Sequence, residues 1–170
     1  MAIKDFNETI DIWINELSLF TKNQLLVKPD KTNWSLGQLY EHIIEESNWY
    51  NGQIELSLND RQNANTKRRD KADILFRAKS FANKKFQGDP FIAENVKQPT
   101  SIDQLKSEME KLKDNSNEIW DRMERANIYG KSEHPGIGYL NCFEWLQYSE
   151  MHMRHHLRQK RRIEIKISKI

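Results

Sequence analysis

Cys142 is the only cysteine in the chain, which excludes an internal disulfide framework and fits a reducing compartment. No apolar run approaches the roughly 20 residues that a bilayer-spanning helix requires. Met1 to Asn7 lack the basic stretch, apolar stretch and small-residue cleavage site of a secretory leader, so cytoplasmic residence is the expectation. An excess of one charge sign is missing too. Lys and Arg number 27 against 25 Asp and Glu, for a net charge of +2, which gives no long-range field to draw in nucleic acid or a membrane surface. Two local basic runs, Lys67-Arg68-Arg69 and residues 158–162, carry no interleaved aromatic platform of the kind single-strand binders use. They read as solvated faces. No internal repeat is visible.

What is present is a core. Five Trp, five Tyr and seven Phe would be unusual in a chain unable to bury them, and 170 residues suffice for one domain, taken here as 1–170. Ile3, Phe6, Ile10, Trp13, Leu17 and Phe20 recur at spacings of three and four, the stripe of an amphipathic helix. Pro29 and the polar stretch 28–33 end it. Ser35, with Gln38 three residues on, forms a capping-box pattern that opens a second helix running to about Leu58. One of its faces holds Leu39, His42, Glu46, Trp49 and Gln53, and is polar at positions that look like core. Residues 59–71 read as a loop, and residues 72–86, with Ile74, Leu75, Phe76, Phe81 and Phe86, as a short amphipathic helix before Gly88 and Pro90. A third helix opens near Thr100 or Ser101, with the stripe Ile102, Leu105, Met109, Leu112, Ser116, Ile119 and Met123. A fourth opens at Asn141, with Glu144 three residues later, and carries Trp145, Tyr148, His152, His156 and Gln159. The tail 163–170 alternates apolar and charged residues, and fits either a strand-like arm at a subunit contact or the end of the helix.

Four long helices with little strand make an all-α four-helix bundle, with a short extra helix in the long helix 2–helix 3 connection. That connection is long enough for an overhand crossing, so simple up-down order is not required.

His152 and His156 lie four apart, so on a helix their β-carbons stand about 5–6 Å apart on one face. Two imidazole nitrogens can then reach one ion at about 2.0–2.1 Å. Both continue the inward face set by Trp145 and Tyr148, where an unpaired imidazole would be costly to desolvate. His42 lies on the polar inner stripe of the second helix and completes a set of three, leaving a fourth position for water or substrate. His155 points elsewhere. Surface histidines, or buried ones satisfied by hydrogen bonds, are the plainer reading of such a pair taken alone.

The segments from Asn33-Trp34-Ser35 to His42, His134-Pro135-Gly136-Ile137-Gly138, Glu144-Trp145 and His152 to Gln159 together resemble the DinB-like superfamily, which includes the YfiT-like metal-dependent hydrolases. Its signature is a Trp-Ser turn with a histidine seven residues after the Ser, then His-x-x-His-His-x-x-Gln near the C-terminus. The resemblance covers nearly the whole chain. It implies a DinB-like four-helix bundle, often a homodimer, with one divalent ion, zinc or nickel, on His42, His152 and His156. Arg158 stands where the family usually has Gly. Members include transferases and isomerases that use low-molecular-weight thiols.

Such a site lowers the pKa of a bound water toward ~7 or activates a thiolate, giving a hydrolase or a thiol S-transferase acting on a small molecule. The alternative is a non-catalytic metal-binding or interaction bundle. Glu46, one turn from His42, is the candidate general base, against a plainer reading as a solvated or paired carboxylate. Gln159 can hydrogen-bond near the site. Cys142 at a helix start could favour thiolate, yet a small buried hydrophobe is the simpler reading. His134 either lines the pocket mouth or serves a turn; Trp49, Tyr50 and Trp145 either shape an apolar wall for substrate or, on the plainer reading, belong to the core.

Overall fold

The apolar stripe that begins at Ile3 folds as α1, Ala2–Leu17, in a computed structural model that describes residues 2–82 and 95–169. Phe20 does not continue α1 as expected. Thr21 accepts a hydrogen bond from the Gln24 backbone and Gln24 answers to Thr21, and this reciprocal cap starts a separate helix, α2 (Lys22–Leu26). Ser35 and Gln38 form the expected capping box, and α3 runs over Leu36–Asn59. A β-carbon at Gly37 would lie 2.6 Å from the Pro99 ring, so only glycine lets the returning chain cross the start of α3. Gln38 reinforces that crossing by donating to the Val96 carbonyl at 2.8 Å.

The short connecting helix, α4, spans Asp70–Ala78 and begins slightly earlier than the pattern suggested. Lys79 ends it in the left-handed region at φ 49°. Phe81 lies beyond that end, while Phe86, Gly88 and Pro90 lie outside the described residues. Ser101 caps α5 (Ile102–Arg125), whose buried residues Leu105, Met109, Leu112, Ser116, Ile119 and Met123 are the expected stripe with Ile102 half-buried. Ser116, its polar member, is satisfied by Asn51 Nδ2 at 3.0 Å. Asn141 and Glu144 cap α6 (Cys142–Ile167) reciprocally. The tail is therefore helical to Ile167, not a strand-like arm.

One element was not legible. Ser132–His134 (β1) pairs antiparallel with Gly138–Leu140 (β2), His134 facing Gly138. Gly138 has φ +83°, which suits a turn that any side chain would strain. Three-residue strands are too short to show alternation.

Among the described residues, α1 packs on α5 and α6, and α3 also packs on α5 and α6. α1 thus stands diagonally opposite α3, and the chain crosses the bundle before returning beside itself. This order makes α3 and α6 neighbours, which is what brings His42 toward His152 and His156. Trp13, Trp145, Tyr40 and Phe6 are the largest fully buried side chains at the centre. No helix among the described residues is long and apolar enough to cross a membrane.

The basic runs are not simply solvated. Arg68 pairs with Asp73 and Glu144. Lys160 is 1% exposed, and meets Glu16 and Glu164. Arg161 and Arg162 do face solvent.

Candidate metal centre

α3 and α6 bring the three expected histidines together. One ligand atom from each of His42, His152 and His156 lies within 4.8 Å of the others. The Nε2 atoms of His152 and His156 are 3.1 Å apart. His42 is buried, and its ring centroid lies 5.4 Å from that of His152 and 4.9 Å from that of His156. Among the described residues, no carboxylate or thiol joins this set.

Gln159 fixes one tautomer. Its Oε1 lies 2.8 Å from His156 Nδ1, so the ring proton resides on Nδ1 and Nε2 offers a lone pair to the cluster. His152 is less comfortable, because its Nδ1 is buried without a hydrogen-bond partner. Burial also makes charging these rings costly. It lowers His42 to about 4 and His156 to about 3, the latter with help from His42, and it holds His152 well below the usual range. Three neutral imidazoles aimed at one point, with nothing anionic between them, suit a divalent cation. Two nitrogens on one tetrahedral ion at about 2.0–2.1 Å sit about 3.3 Å apart, close to the spacing seen.

Burial carries a pH dependence. An unfolded imidazole titrates near 6.5 and folded His42 at about 4, so between them the unfolded state holds more protons. The contribution of neutral His42 is full above the unfolded value and is lost as pH falls toward the folded one. Taking the metal-free protein from about pH 7 to about pH 5 should cost about 2 kcal/mol through His42. Urea unfolding at the two pH values measures this, and His42→Leu should flatten the slope. A wild-type slope equal to that of His42→Leu would contradict the assignment.

Aromatic walls surround the cluster. Trp34, from the turn before α3, lies 4.9 Å from the His42 ring, and Tyr50 meets His152 edge-on at 5.5 Å. Glu46 is not among the three converging atoms. Its Oε2 accepts the Tyr50 hydroxyl at 2.8 Å, so the carboxyl is half-buried and paired at i, i+4, as the plainer reading had it, and burial raises its pKa. His134 takes part in more than a turn: its Nδ1 accepts from the Gly136 N–H at 2.9 Å, leaving Nε2–H to donate to the Tyr148 hydroxyl at 3.1 Å. Trp49 is 42% exposed and so falls outside the core, contrary to its plainer reading, whereas Tyr50 and Trp145 are core as expected. His155 takes no part in the cluster; its Nδ1 accepts from Arg158 at 2.9 Å. Cys142 is buried, which pushes its thiol up to about 11 and leaves it a small hydrophobe.

Sequence reasoning missed Trp34 and Phe81 as neighbours of the histidines. Trp34 stood in a recognised motif without a role. Phe81 follows a chain reversal that periodicity does not register.

The sequence model of the DinB superfamily matches residues 5–159. No curated protein matches the chain. Among solved structures, YfiT from Bacillus subtilis, described as a probable metal-dependent hydrolase with an unusual four-helix bundle topology, is similar. The likeness covers 98% of this chain and 86% of that one, at 15% identity and a TM-score of 0.56. At that identity it shows a shared fold.

Proposed function

The chain belongs to the DinB superfamily, and on that premise we propose that it is a metal-dependent enzyme acting on a small molecule, with His42, His152 and His156 as the ligands of one divalent ion, zinc or nickel. The observation that carries this reading is the convergence of three imidazole nitrogens, with Gln159 holding the His156 proton on the outer nitrogen. Three protein ligands leave a position open to a reactant. The bound ion would supply Lewis acidity that favours the deprotonated form of a thiol or water near neutral pH.

The reaction proposed is transfer of a low-molecular-weight thiol to an electrophile. Glu46 takes the thiol proton on Oε1, the oxygen Tyr50 leaves free, while Tyr50 orients the carboxyl through Oε2. A new carbon–sulfur bond forms as the leaving group departs with its electron pair, and Glu46 returns the proton. Burial that raises the Glu46 pKa suits a group that must both take and give a proton.

A zinc- or nickel-loaded sample should consume chlorodinitrobenzene only with thiol present, and His42→Ala should abolish turnover. Activity surviving in His42→Ala would exclude the mechanism. Thiol-independent cleavage of a nitrophenyl ester would instead mark a hydrolase, and a tightly bound ion without turnover in either assay a structural site.

A further inference from the structure

Phe81 lies two residues past the left-handed end of α4, yet its ring reaches across α6. Its centroid is 5.3 Å from Tyr148, 6.2 Å from His152 and 5.4 Å from His155. Those three residues fall at i, i+4 and i+7, so the ring covers one helical face beside the histidine cluster. The backbone is held there at alternate carbonyls. Arg154 Nη2 donates to Lys79 O at 2.7 Å, and Arg158 Nη2 donates to Phe81 O at 3.1 Å.

Both arginines are themselves braced. Arg154 forms a two-point contact with Glu150 at 2.7 and 3.0 Å, and Glu150 accepts from Thr9 of α1 at 3.0 Å. Arg158 also donates to His155 Nδ1. A guanidinium already fixed by other partners loses little further freedom in holding a carbonyl. The segment is thereby tied through α6 to the adjoining α1, a degree of fixation that a surface connection does not need.

The consequence lies in what flanks the histidines. Trp34 borders His42 and Phe81 borders His152, so the cluster sits between aromatic rings from two separate segments. Phe81 stays only half-buried and retains surface beyond its contact with α6. We propose that Phe81 is a specificity-determining wall of this site, selecting substrates that carry a flat apolar group, and that Arg154 and Arg158 are the positioning residues that hold it; this rests on the metal-dependent reading above.

Cobalt-loaded protein tests the selection through the sulfur-to-cobalt charge-transfer band, with benzyl mercaptan and mercaptoethanol as probes. Phe81→Ala should weaken benzyl mercaptan about three- to tenfold, the scale of one aromatic contact, and leave mercaptoethanol within about twofold. Arg158→Met should shift the same ratio in the same direction, with cobalt stoichiometry unchanged. Equal weakening of both thiols, or an unchanged ratio in either variant, overturns the proposal. A wild-type protein that takes up no cobalt sinks the metal reading instead. The metal-free protein then decides the wall by itself: nuclear Overhauser contacts between benzyl alcohol and the Phe81 ring support it, and their absence overturns it.

Discussion

Protein purified without chelator is expected to carry close to one equivalent of divalent metal, and His152→Ala and His156→Ala to lose it, while His155→Ala keeps it. The three positions lie within one helical turn and a half, so a general effect on α6 would not separate them. Geometry does. His152 and His156 put Nε2 atoms 3.1 Å apart, whereas His155 accepts a bond from Arg158 on the neighbouring face. Deleting a ligand should cost more than the 10–100-fold typical of an outer hydrogen-bond partner. Gln159→Leu should fall in that 10–100-fold range, because it frees the His156 proton to occupy either nitrogen. Elemental analysis after dialysis reads occupancy. If both alanine variants retained a full equivalent, the ligand assignment would be wrong.

Stability should follow occupancy. A ligand that binds only the folded state at about a thousandfold over its dissociation constant adds about 4 kcal/mol. The wild type should therefore melt higher with metal, and the His152→Ala melting curve should be insensitive to it.

The sequence carried much of this site because helical periodicity is local. The spacing of four between His152 and His156 determines that they share a face whatever the tertiary context. Capping at Ser35, Ser101 and Asn141 is local as well, and all three helix starts follow from it. His42 was harder: its stripe marked it as inward, but only the diagonal placement of α1 and α3 makes α3 a neighbour of α6. Phe81 and Trp34 were illegible as site residues because each sits outside a helix, where no period says which way a side chain faces. The hairpin residue His134 shows the same limit. Its bond to Tyr148 depends on a three-residue strand register. Lys160 fails differently. It occupies the step after His152 and His156 on the same i+4 line, but a lysine in a run of arginines reads as surface, and its burial becomes visible only with Glu16 of α1 in place.

That lysine supports the second large effect: Glu16→Gln combined with Glu164→Gln should destabilise the protein by about 3–5 kcal/mol at neutral pH, while Lys160→Met changes stability by about 1 kcal/mol or less. Lys160 Nζ lies 2.5 Å from Glu16 Oε2, also meets Glu164, and sits 4.8 Å from the Phe20 ring. Its side chain is 2% exposed, against 34% and 31% for the two carboxylates. Replacing both carboxylates strands a buried ammonium with neutral partners and little water, and the desolvation already incurred is then uncompensated. Replacing the lysine instead leaves two carboxylates that can still hydrate, and methionine fills much of the lysine's volume. The asymmetry matters for the site, since Lys160 pins α6 to α1 one turn beyond His156. The double glutamine variant should also weaken metal binding, as His156 loses its fixed approach, whereas Lys160→Met should keep it. Urea midpoints of the metal-free proteins give the stability order. Equal costs for the two replacements would mean that the ammonium is hydrated in solution and that the anchor is not a buried charge.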